Sequence, residues 1–231
     1  MLSVAVLIFF YVIILLYSVI IHEVAHGVAA LWLGDPTAKY AGRLTADPRK
    51  HVDPWMTVAV PILMLILSGG RFAFSVAKPV PYNPYNLKNQ RWGPTLVALA
   101  GPLSNILLAL IFAMAGKFIG ITAAAKIDII SNFNNWSDVS TVISGSLGSI
   151  FFELFVIIIF WNVLLAFFNL IPFPPLDGSK LLLAFLPIKT QTVAFLEQFG
   201  FFPLIIFILF FSGPLGALLN FVLGIFLGIT I

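Results

Sequence analysis

Residues 1–33, MLSVAVLIFFYVIILLYSVIIHEVAHGVAALWL, decide the fold class. Met1–Ile21 has no charged side chain, and the apolar character resumes beyond His22-Glu23-Val24-Ala25-His26 and continues to Leu33. About 20 apolar residues cross the roughly 30 Å hydrocarbon core of a bilayer at about 1.5 Å per residue. The stretch therefore predicts a membrane helix. A cleaved signal peptide has a basic start and a short apolar core. Neither is present, so a retained first helix is expected, stopped by Gly34-Asp35-Pro36.

The rest of the chain has the same character. Its 231 residues are 61% hydrophobic, include 24 Phe, and carry 12 basic and 9 acidic side chains. Globular domains are about 45–50% apolar and about 25% charged, so too few charges remain to disperse a soluble surface. Disorder and a large soluble catalytic domain are excluded. The net charge of +3 comes from small clusters of Lys and Arg beside apolar segments. That pattern suits membrane-flanking loops, whereas a nucleic-acid partner would need a continuous basic stripe. There is no Cys, so a metal must be held by His, Asp or Glu.

Further spans are expected at Thr95–Gly116 and Ile150–Ile171, separated by a polar loop from Lys117 to Ser149. Phe201–Ile231 is thirty-one residues without charge, interrupted by Ser212-Gly213-Pro214, and reads as a helical hairpin in preference to one kinked helix. Trp55–Leu67 is too short to cross alone. Basic residues flank it on both sides (Lys39, Arg43, Arg49 and Lys50 before, Lys78, Lys88 and Arg91 after). If both loops are cytoplasmic, the segment dips in and returns, or pairs with Arg71–Ala77 as a re-entrant element. The expected fold is an all-α, polytopic helical bundle of about five to six transmembrane segments. It forms one membrane-embedded domain, 1–231, multi-pass in the cell membrane.

Two of the three His lie in His22-Glu23-Val24-Ala25-His26. Positions i and i+4 share a helix face, so both imidazoles can reach one ion, with Glu23 beside it to deprotonate a water. An ionisable group at mid-membrane costs about 2.5–3.5 kcal/mol on insertion scales. Three in one turn need a reason, and a metal is the simplest. Catalytic zinc has three protein ligands and an open position, so a third ligand is required from another segment. Asp177, after the helix-breaking Pro172-Phe173-Pro174-Pro175, is the best candidate, with His51 and Asp53 as competitors.

These elements resemble the site-2 protease family, the zinc metalloproteases that cut within the membrane. The resemblance rests on His22 to His26, on Gly101-Pro102-Leu103-Ser104-Asn105, which is similar to that family's Gly-Pro-x-x-Asn element, and on Asn169 through Gly178. It implies one Zn2+ held by His22, His26 and Asp177, with Glu23 as general base and Asn169 at the substrate backbone or transition-state oxygen. Asn105 would contact substrate or tie helices together. It also implies extended backbone near the active site, for which Lys39–Leu44 and Phe72–Val80 are the candidate strands. The chain leaves no room for a separate soluble domain, so a core-only member is expected.

The implied activity is hydrolysis of a peptide bond in or near a transmembrane segment of a membrane protein or signal peptide. The site would open to the cytoplasmic side. A metal-ion transporter and a non-catalytic zinc-containing membrane protein are the rival readings. Glu23 favours hydrolysis over transport, since a carrier needs no base there.

Overall fold

The structure, a computed structural model, describes residues 2–67, 78–133, 146–185 and 190–231. Its helices are α1 (Leu2–Trp32), α2 (Thr37–Tyr40), α3 (Val60–Leu67), α4 (Gly93–Lys117), α5 (Ala123–Asn132), α6 (Leu147–Asn169), α7 (Gly178–Phe185), α8 (Thr190–Phe199) and α9 (Phe201–Ile229). Four of them, α1, α4, α6 and α9, are long and apolar enough to cross a membrane. This is an integral membrane protein, all-helical among the described residues.

Among the described residues four helices have the length and composition of spans where five to six were expected, and two segments account for the difference. The stretch around Trp55–Leu67 is a six-residue π-helical turn, Pro54–Ala59, running into the eight residues of α3. That is about 21 Å of helix, short of the hydrocarbon thickness. The last segment is one kinked helix and not a hairpin. Pro214 lies inside α9 and Phe211 leaves helical geometry (φ −106°, ψ 15°). Proline removes one intrahelical bond and crowds the preceding turn; with no polar residues to form a loop, the chain bends and continues.

The strand expected over Lys39–Leu44 is absent. Thr37–Tyr40 forms one helical turn and Gly42 follows at φ +64°. Residues 72–77 of the other candidate strand, and the Arg71–Ala77 partner of the re-entrant element, lie outside the described residues. The Lys117–Ser149 segment contains α5, whose N-terminus is capped by the Thr122 side chain accepting from the Ala125 N–H. Thr followed by Ala-Ala-Ala-Lys is a helix-start signal.

The chain divides into two compact units, Val19–Gly101 and Met1–Ser18 with Pro102–Ile231. In the second, Ala109, Ala113, Ile129, Phe152, Val156, Ile159, Val163, Leu223 and Leu227 form the buried core, drawn from α4, α5, α6 and α9. Three buried polar side chains in this unit bond one another. The Asn105 amide donates to Asn162 Oδ1 (2.7 Å) and to the Ser18 carbonyl (3.3 Å), while the Asn162 amide donates to Ser18 Oγ (2.9 Å) and the Ile158 carbonyl (2.9 Å). All three side chains are buried and together tie α1, α4 and α6. Where no water competes, such ties hold helices that have little other reason to associate.

Lys126 closes the same unit at the helix ends. Its buried ammonium donates to the Gly116, Lys117 and Thr230 carbonyls at 3.0, 3.0 and 2.8 Å, and lies 5.4 Å from the Phe152 ring. All three donors are used on carbonyls at the C-terminal ends of α4 and α9, where the helix dipoles favour a cation. Lys126→Met should lower stability by about 2–3 kcal/mol, read as an earlier unfolding midpoint in detergent with the helical content unchanged before the transition.

Candidate metal centre

The site is built on α1 within the Val19–Gly101 unit. The His22 and His26 rings lie edge to face, centroids 4.6 Å apart. Ligand atoms of His22, Glu23 and His26 all fall within 4.8 Å of one another, with His22 buried and the other two half-buried. Neither His51 nor Asp53 joins this group. His51 is buried elsewhere in the unit with Nε2 on the Thr45 carbonyl (2.8 Å), and the Asp53 carboxylate accepts from the Trp55 N–H at the start of the short helix (2.9 Å).

His26 Nδ1 lies 2.8 Å from the Val97 carbonyl of α4. A carbonyl only accepts, so Nδ1 carries the proton and Nε2 the lone pair. This fixes the tautomer and ring orientation that metal-ligating imidazoles require. One turn further along α4, Gly101 leaves the space for both rings. A Cβ there would stand 2.5 Å from His26 Nε2 and Cε1 and 2.7 Å from His22 Cε1. Two imidazole nitrogens beside a carboxylate, in a space that a single methyl group would fill, are a donor set suited to zinc.

Glu23 is oriented by the backbone of the polar segment that precedes α4: the Val80 N–H donates to Glu23 Oε2 at 2.9 Å. Gly27, one turn after Glu23, allows this approach, since a Cβ there would press on Leu44, Val80 and Ala38. Gly34 (φ +110°) then ends α1, with the Asp35 N–H on the Ala30 carbonyl and the Gly34 N–H on the Leu31 carbonyl, the Schellman pattern.

Asp35, which the sequence marked only as a helix breaker, anchors the neighbouring loop. Its fully buried carboxylate accepts from the Thr37 N–H and hydroxyl, the Asn83 N–H (2.6 Å) and the Asn86 amide (2.8 Å). Burial alone pushes this carboxyl up, but these hydrogen bonds outweigh it and hold the group below the usual carboxylate range.

The remaining candidates belong to the other unit. Asn105 is fully buried in the polar tie described above. Asn169 is half-buried at the end of α6, its amide donating to the Leu165 carbonyl (2.9 Å) and its Oδ1 left to accept. Asp177 ends the tight run after Pro172, just before α7, where Gly178 has no room for a Cβ against the Leu170 and Ile171 carbonyls. Asn162 and Ser18 escaped the sequence reading. Helical register could have found Ser18, four residues before His22 on the same face of α1.

A paired-imidazole and carboxylate centre carried on a membrane helix defines the class: a membrane-embedded metallopeptidase. The comparisons with known proteins agree. The model of peptidase family M50 matches residues 10–212. The Bacillus subtilis protein named "Putative zinc metalloprotease YwhC" is 36% identical over 208 residues, 89% of this chain and 81% of that protein. Proteins named "Putative zinc metalloprotease Rip2" from Mycolicibacterium smegmatis and Mycobacterium tuberculosis are 26% and 28% identical over 195 residues. The chain spans 64% of the length of each of these two. No solved structure matches it at a significant level. The chain belongs to peptidase family M50, the site-2 protease family identified from its motifs, and with it to the zinc metalloproteases of the membrane.

Two measurements check this geometry. Gly101→Ala should reduce bound zinc at least tenfold by metal analysis of the purified protein, with the helical content retained. The pH dependence follows from Asp35. A folded-state value below the unfolded one contributes stability that is complete above about pH 4 and is lost as pH falls through the folded value. The unfolding temperature should therefore drop steeply on acidification below about pH 4. Asp35→Asn should already be destabilised at pH 7, by about 1–3 kcal/mol, and lose less on acidification.

Proposed function

We propose that this protein hydrolyses a peptide bond in or near a transmembrane segment of a membrane protein or leftover signal peptide, with residues 1–231 acting as one catalytic domain in the membrane. The observation that carries the reading is the oriented His22–Glu23–His26 group, with the His26 tautomer fixed by Val97 and Glu23 held by Val80. His22, His26 and Asp177 would hold one zinc ion. Zinc bound there supplies a Lewis acid and an acidified water.

Glu23 has one carboxylate oxygen on the Val80 N–H, and the other accepts the proton of the attacking water and returns it to the leaving amine. Asn169 presents Oδ1 to the N–H groups of an unwound substrate. Asn105 acts one step removed, by tying the helices that carry the site. A helical substrate hides its carbonyls in internal hydrogen bonds, so cleavage requires local unwinding, and substrates with helix-breaking residues are preferred. The site opens to the cytoplasmic side of the cell membrane: Lys39, Arg43, Arg49, Lys50, Lys78, Lys88 and Arg91 all belong to the unit that carries α1's metal-binding turn.

The test uses the purified full chain in lipid nanodiscs. Its substrate is a single-span peptide with a central Gly-Pro break and a fluorophore–quencher pair. Glu23→Gln should keep its zinc and lose about 10²–10⁴-fold in cleavage rate, whereas Asp177→Ala should lose both zinc and activity. Undiminished cleavage by Glu23→Gln would remove that residue from the mechanism, and full zinc in Asp177→Ala would remove the aspartate from the ligand set.

A further inference from the structure

The polar segment that precedes α4 begins Lys78-Pro79-Val80-Pro81-Tyr82-Asn83. Alternate prolines fix φ, remove donors and push the residues before them into extended geometry. Residues 78–83 are accordingly free of helix and turn, a pre-extended strap. From Pro79 to Pro81 it has one backbone donor, the Val80 N–H, and that donor is spent on Glu23 (2.9 Å).

The strap is gripped on both sides of that bond. The Lys78 carbonyl accepts from the Arg43 guanidinium at 2.7 Å, and the Lys78 N–H donates to the His51 carbonyl at 3.0 Å. Beyond Val80, the Asn83 N–H reaches Asp35 (2.6 Å) and the Lys88 N–H the Leu33 carbonyl (2.9 Å). Lys78 and Val80 are two residues apart, at most about 7 Å, so the Arg43 grip and the Glu23 bond lie on the same short stretch of backbone.

Arg43 is costly where it is. It is 6% exposed, its Nε has no partner, and no carboxylate pairs with it among the described residues. A buried cation without a counter-charge lowers stability. Its guanidinium's one hydrogen bond among the described residues is the contact with the strap, which makes holding the strap its task.

We infer that the Lys78–Asn83 strap is a positioning element for the Glu23 carboxylate and that Arg43 is the positioning residue that holds it. This deepens the hydrolytic reading and rests on Glu23 as the base. The strap acts on the carboxylate through the Val80 N–H, so its loss lowers kcat while leaving KM and zinc in place.

The Val80 amide is the one exchangeable backbone hydrogen between the two prolines, so hydrogen exchange of that site reads the contact directly. In the zinc-loaded full chain, Glu23→Ala should speed Val80 exchange at least tenfold. Arg43→Met should do the same. With the fluorogenic single-span peptide, it should also lower kcat at least tenfold, with KM and zinc content within twofold of wild type. Arg43→Lys, which keeps a donor for the Lys78 carbonyl, should recover most of the rate. Wild-type kcat and Val80 exchange in Arg43→Met would overturn the proposal, as would a loss of zinc or a KM effect alone. If Arg43→Met does not fold, Arg43→Gln takes its place under the same criteria, and the Glu23→Ala exchange result stands without any Arg43 variant. Cleavage surviving in Glu23→Gln sinks the underlying base role. An inert Glu23→Gln together with unchanged Val80 exchange in Glu23→Ala sinks the strap alone.

Discussion

The hydrogen bond from His26 Nδ1 to the Val97 carbonyl (2.8 Å) is the constraint on which the candidate centre depends. An imidazole can present either nitrogen to an ion, and its partner on the other nitrogen decides which. Here the partner is the backbone of a second helix, so tautomer and ring angle are set by how α1 and α4 approach. That approach is set in turn by Gly101, whose missing side chain is the space the two rings occupy. Zinc chemistry in this chain therefore begins with a close helix contact.

The rest of the molecule answers one problem, that of keeping polar groups in a hydrocarbon environment. Each unsatisfied group there costs several kcal/mol, and the protein meets this with closed sets. Ser18, Asn105 and Asn162 satisfy one another across three helices. Lys126 spends its three donors on carbonyls at helix ends. Asp35 receives four hydrogen bonds where α1 stops. Arg43 departs from this pattern, a buried guanidinium with a single backbone carbonyl among the described residues, and the position of that carbonyl beside Glu23's partner gives the departure its meaning.

Much of this was legible in the residues, at the places where one local rule governs. Charge-free runs announced the long helices, Gly34-Asp35-Pro36 announced the end of α1, and the i, i+4 spacing placed His22 and His26 together. The reading failed where competing rules gave opposite answers. Ser212-Gly213-Pro214 suits a turn or a kink, and the surrounding apolar residues decided for the kink. Lys39–Leu44 contains nothing that forbids a strand, yet Asp35 accepting from Thr37 starts a helical turn instead. Asn162 was hidden in an apolar run because its partners are 57 and 144 residues away.

The sequence by itself determined that the chain enters a membrane, which helix carries the imidazole pair, and the family to which it belongs. Hydropathy and helical periodicity are properties of neighbouring residues, and an ordered list of residues contains them in full. Only the tertiary structure decided which His26 nitrogen faces an ion, why Gly101 has no side chain, and what holds Glu23. Those depend on backbone groups brought from distant parts of the chain, and every residue but proline carries the same N–H and C=O. Their identity in the sequence therefore says nothing of their use, and distance and direction alone reveal it.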